Sequence, residues 1–99
     1  NEPNLIYIHF KRLGLLPSQG LSHTNPYIKV YATHGSNWTG KPHHGNESIP
    51  IDENMTLTYR SLLDTVTFQI WNQRDKMCEC QKFIFELLST DYLICSLKG

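Results

Sequence analysis

Apolar and polar side chains alternate along most of the chain. In LIYIHF (5–10), Ile6, Ile8 and Phe10 fall on one side and Leu5, Tyr7 and His9 on the other, the two-residue period of a strand. In YIKVYA (27–32), Ile28, Val30 and Ala32 oppose Tyr27, Lys29 and Tyr31. SIPI (48–51) predicts a short strand, and Pro50 confines it to an edge. NMTLTY (54–59) and TVTFQIW (65–71) alternate in the same way, the second with Val66, Phe68 and Ile70 against Thr65, Thr67 and Gln69. KFIFELL (82–88) predicts a strand with Phe83, Phe85 and Leu87 on one side, and 89–97 predicts a turn followed by a further strand. The segments between are rich in turn residues: 13–26 with Gly14, Pro17, Gly20 and Pro26, the polar stretch 33–48, a turn at 60–64 and the polar stretch 72–81. About seven to eight short strands, with no long helical pattern, predict an all-β antiparallel sandwich.

Composition narrows the functional classes. The 99 residues fit one domain, 1–99, and a start at Asn1 leads us to expect a piece cut from a larger protein. Nine basic and nine acidic residues cancel, so no strong field draws nucleic acid or an anionic membrane. No apolar run reaches the length that crosses a bilayer. Three cysteines, Cys78, Cys80 and Cys95, do not make a complete disulfide framework. A bridge from Cys78 or Cys80 to Cys95 is open, and free thiols in a reducing compartment are the simpler expectation. Cys-x-Cys and the pair His43–His44 lack zinc-site spacing, so no metal and no cofactor is expected. Nucleophile-elbow, zinc-protease and nucleotide-loop motifs are all missing, which argues against an enzyme.

One stretch stands out. In NPY (25–27), Pro26 fixes its own backbone and drives Asn25 to an extended conformation, a sharp entry into the following strand. The surrounding GLSHTNPYIKVY, together with LIYIHFKRLGLL, DENMTLTY, TVTFQIWNQRD and KFIFELLSTDYL in that order, resembles the C2 domain, a β-sandwich module. The likeness covers about residues 5–93, is most specific at NPYIKVY, and departs from the family in its shorter length. The resemblance implies a rim where relatives hold calcium with aspartates. At the matching positions stand Asn25 and Asn72, with Arg74 two residues on and Asp75 beside it, and earlier acids fall near Pro17 or Ser18. Calcium wants six to eight oxygens, many of them anionic, so this degenerate rim predicts calcium independence.

The C2-like reading predicts a non-catalytic interaction module with a protein partner, or weak contact with anionic lipid, in a cytoplasmic or membrane-peripheral location. Candidate contacts are Trp38, Lys41, His43 and His44 in the long polar stretch and Lys29 on its strand, with Ser22 and His23 at the rim. A second reading starts from three sequons, NWT at Asn37, NES at Asn46 and NMT at Asn54. They predict a glycosylated extracellular β-sandwich of the adhesion or receptor type.

Overall fold

The computed structural model describes residues 4–14, 25–34, 37–45 and 48–89. These residues form two antiparallel sheets and one short helix. The strands are β1 (Asn4–Gly14), β2 (Pro26–Ala32), β3 (Asn37–Thr39), β4 (Ser48–Tyr59), β5 (Thr65–Asn72) and β6 (Asp75–Phe83), followed by α1 (Ile84–Leu88). One sheet is the pair β1–β4; the other has the order β3–β2–β5–β6. The described residues are mostly β, as the alternation predicts, with one short helix. Six strands stand among the described residues, and the strand expected within 89–97 lies outside them, as do Ser22, His23, Asn46 and Cys95.

The alternation places the core. Ile6 and Leu13 of β1, Ile49, Ile51, Met55 and Leu57 of β4, Ile28 and Val30 of β2, and Val66, Phe68 and Ile70 of β5 form one buried cluster, closed by Ile84 of α1. The intervening residues of each strand face outward, so each sheet contributes its apolar face to a shared interior. Phe10, Trp38, Met77 and Cys78 pack at its margins.

Four local expectations change. SIPI and NMTLTY join into the single twelve-residue β4, because Asp52 adopts a positive φ of 51° and lets the chain bend without leaving the ladder. The pairing of β1 with β4 shifts between Phe10 and Arg12 at the same place. Pro50 lies on this two-stranded sheet, where both strands are edges. The polar stretch 33–48 contains the three-residue strand β3, paired with β2 through Lys29–Thr39, Val30–Trp38 and Tyr31–Asn37.

The stretch 72–81, expected as a loop, is a tight hairpin turn and most of β6, with Asn72 opposite Asp75. Gln73 carries a positive φ of 56° at the first central position of that turn. The strand is polar because it is the outer strand of its sheet, where charged residues discourage unwanted pairing. KFIFELL does not continue as a strand: at Ile84 the chain turns into α1. Ile84 N donates to Asp64 O (2.9 Å) and Phe85 N to Leu62 O (3.1 Å), while the Glu86 carboxylate accepts from Phe83 N at 3.0 Å. These bonds use the backbone groups that a longer strand would have presented.

The β4–β5 turn is held by Asp64, one side chain whose protonation matters. Its carboxylate accepts from Arg60 N (2.9 Å) and Ser61 N (3.2 Å), with His34 Nε2 3.5 Å from its other oxygen. The bond from Arg60 N, joined by that from Ser61 N and by the nearby His34 and Arg60 charges, lowers its pKa below the ordinary 3.8 against the opposing effect of burial. A carboxyl held below its unfolded value stabilises the fold above that value and loses this contribution as pH falls through the lowered one. We expect the Tm of the chain to fall on acidification below about pH 4, and Asp64→Asn to have a lower Tm at neutral pH and a flatter acid limb. Calorimetric melts between pH 7 and pH 2.5 measure both.

The cysteines divide. Cys80 is disulfide-bonded, whereas Cys78, two residues earlier on the same strand, is a free thiol whose pKa is raised by burial. The expectation of free thiols throughout therefore fails at Cys80.

Candidate functional site: a closed rim

The stretches NPYIKVY and TVTFQIWNQRD meet in space. β2 and β5 are neighbours, and their register sets Pro26 opposite Asn72 and Tyr27 opposite Trp71. Asn25 and Asn72 thus sit at the same rim. Pro26 is buried there and leaves Asn25 extended at the strand mouth.

The rim is bonded to itself. The Asn72 Oδ1 accepts from Asn25 N at 3.3 Å, and the Tyr27 hydroxyl donates to Gln73 O at 2.5 Å. His44 Nδ1 lies 3.4 Å from Asn25 Oδ1. Both amides thereby have loop partners, and neither supplies an anionic oxygen. Arg74 and Asp75 are exposed in the adjoining turn. Among the described residues no three His, Cys, Asp or Glu side chains cluster closely enough to hold a metal ion.

The segment after β3 runs beside this rim. Gly40 N donates to Ile28 O (2.8 Å) and His43 N to Pro26 O (3.0 Å), so the segment extends the edge of β2 beyond β3. From the opposite sheet Glu53 reaches across and fastens it. Its carboxylate accepts from Lys41 N at 3.1 and 3.3 Å and from His43 Nε2 at 2.6 Å. The Glu53 and His43 side chains are only 14% and 22% exposed. The His43 ring is therefore engaged by Glu53 inside the fold and is not free for a lipid or protein.

Trp38 also differs from the expected loop anchor. It lies in β3, half-buried, with its ring stacked on Phe10 at 5.3 Å and 15°. Gly40 fits tightly over it: a Cβ there would come 2.8 Å from the far edge of the indole and 3.0 Å from Glu53 Oε1. Trp38 still borders two shallow clefts, one of about 450 Å³ shared with Tyr7, His9 and Asn54, the other of about 430 Å³ shared with Lys41 and Glu53.

Lys29 projects from the outer face of the larger sheet, whereas His43 contacts Glu53 of the opposite sheet. Its ammonium lies 4.1 Å from the centroid of the Trp71 ring, a cation–π contact. Trp71 Nε1 donates to Gln69 Oε1 (2.8 Å), Gln69 Nε2 to Glu79 Oε1 (3.1 Å), and Lys76 Nζ to the same oxygen (2.9 Å). The Lys76 bond, then that from Gln69, holds the Glu79 carboxyl below its ordinary range. This face carries both signs of charge in contact with each other. Of the candidate basic residues, Lys29 lies over Trp71, His43 is held by Glu53 and His44 lies beside Asn25.

The far end of the molecule has another character. Leu62 and Leu63 in the β4–β5 turn, with Phe83, Phe85 and Leu88 around α1, are between 41% and 70% exposed. Phe83 and Phe85 stack at 5.3 Å. The sequence reading did not single out these residues, nor Glu53 or Tyr27. Glu53 had a visible signal, since it interrupts the apolar row Ile49, Ile51, Met55, Leu57. No family model matches the chain, and no curated protein matches its sequence.

Proposed function

We propose that the chain is a non-catalytic, calcium-independent interaction module of C2-like character that meets a protein partner. The observation that carries this reading is the closed rim: Asn25 and Asn72 share one end, bonded to their own loops, with Arg74 beside them. A cation arriving there finds amide oxygens already engaged and a guanidinium close by. The balanced charge and the mixed outer face of the larger sheet leave little attraction for anionic lipid. The exposed apolar end around Leu63 and Phe85 supplies the kind of surface that a protein partner covers.

Isothermal titration with calcium up to millimolar concentration is expected to give only dilution heat, and flotation with phosphoinositide-containing liposomes at 150 mM salt is expected to leave the protein in the soluble fraction. Saturable calcium binding at micromolar concentration would overturn the reading.

The disulfide at Cys80 favours a second reading of where the module works. Such bonds persist in oxidising compartments and are scarce in the cytosol. We place the module outside the reducing cytosol, in agreement with its sequons. Thiol labelling of the secreted chain under denaturing, non-reducing conditions should find Cys78 reactive and Cys80 blocked.

A further inference from the structure

We infer that Asn37 and Asn54 carry N-linked glycans, each seated against an exposed tyrosine, one on each outer sheet face. This rests on the reading that the chain passes through an oxidising, secretory compartment. The two described sequon asparagines are both exposed, and both lie on strands at positions whose side chains leave the core. Asn37 pairs directly with Tyr31 across β3 and β2. Asn54 pairs with His9 across β4 and β1, and Tyr7, paired with Thr56, is its diagonal neighbour on the same face. Tyr7 is 79% exposed and Tyr31 is 38% exposed. All three residues of the second sequon, Asn54, Met55 and Thr56, border the shallow cleft of about 450 Å³ that Tyr7, His9 and Trp38 also line.

The arrangement answers two separate questions. Sequon asparagines need an outward direction once the chain has folded, and both have it. An aromatic ring beside the attachment point offers an apolar face to a sugar ring, which explains tyrosines left so open to solvent. Glycans here also obstruct pairing with other chains. Asn37 sits on β3, at the edge of its sheet, and Asn54 on β4, in a sheet of two strands.

The modification is a group transfer. The donor is an oligosaccharide linked to a lipid diphosphate. The Asn Nδ2 forms a bond to the anomeric carbon of the first sugar, that carbon's bond to the diphosphate oxygen breaks, and the lipid diphosphate departs. The amide gives up one proton in the exchange. Transfer precedes folding, so a location within a strand is no barrier.

The test is secretion of the full chain from a eukaryotic host, followed by intact mass and site mapping with peptide-N-glycosidase, which converts each occupied Asn to Asp. We expect conversion at Asn37 and Asn54, with loss of one glycan mass in N37Q and in N54Q. We also expect a Tm lower by a few degrees after enzymatic deglycosylation, and a smaller drop in Tyr7→Ser. A secreted chain with Cys80 oxidised and both asparagines bare overturns this proposal alone. A chain that is retained with Cys80 reduced overturns the secretory reading and this proposal together. Occupied asparagines with an unchanged response in Tyr7→Ser and Tyr31→Ser overturn the tyrosine seat.

Discussion

Leu57→Ala is expected to lower the stability of the domain by about 3–4 kcal/mol, the largest loss among the single substitutions considered. Leu57 is 0% exposed, lies near the middle of the shared cluster and pairs with Ile6, itself only 8% exposed. Removing its branched end deletes buried methyl groups and leaves a void. The site is poorly placed to collapse. Val66, also fully buried, belongs to a rigid ladder in the opposite sheet, and Ile6 is fixed by its own register. A domain of this size has on the order of 5–15 kcal/mol to lose, so the variant should unfold at much lower urea with little change in slope. A loss under about 1.5 kcal/mol would mean that the cluster is not packed as described.

The second large effect is expected from Glu53→Ala, at about 2–3 kcal/mol. The carboxylate has two partners on a segment that touches the rest of the fold through few other bonds. Without it, Lys41 N and His43 Nε2 lose their acceptor in a half-enclosed place. Gly40, closely flanked by the Trp38 indole and Glu53 Oε1, loses the second of these neighbours. Glu53→Gln keeps an acceptor oxygen and should cost about half as much. The urea midpoints of Glu53→Ala, His43→Ala and the double variant form a cycle. A coupling of at least about 1 kcal/mol identifies the pair as cooperating, and additive losses would show that Glu53 acts without His43. Amide exchange at Gly40 and His43 should quicken in Glu53→Ala, since their bonds to Ile28 O and Pro26 O lie on the released segment.

Much of the fold can be read from residues alone where one side of a strand is apolar and the other polar. Ile28 and Val30 against Lys29, or Val66, Phe68 and Ile70 against Thr67 and Gln69, identify β2 and β5 and their inward sides together. The meeting of Asn25 with Asn72 follows from the register of β2 with β5. What resists reading is decided at a distance. β6 sits at the rim of its sheet, where little of its surface is covered, so Lys76, Glu79, Gln81 and Lys82 leave scant alternation to detect. The helix α1 shares its composition with a strand, and the bonds from Ile84 and Phe85 to Asp64 and Leu62 decide between the two. Trp38 stands among Ser, Thr and Gly, a loop's composition, and only its pairing with Val30 reveals β3. Glu53 gave a signal of its own, since a carboxylate in an apolar row calls for a partner, but the segment that supplies the partner is decided by the fold.

The register of the strands also implies an order of events in time. β5 and β6 are joined by two residues, and Asn72 pairs with Asp75, so this hairpin can close with almost no loss of chain freedom. β1 and β4 are far apart along the chain, with Asn4 paired to Tyr59, and their ladder must wait until the intervening residues are gathered. The β5–β6 hairpin is then the template on which the long-range pairs β2–β5 and β1–β4 condense. Damage to the β5–β6 turn should slow folding, whereas damage to β1 should chiefly hasten unfolding.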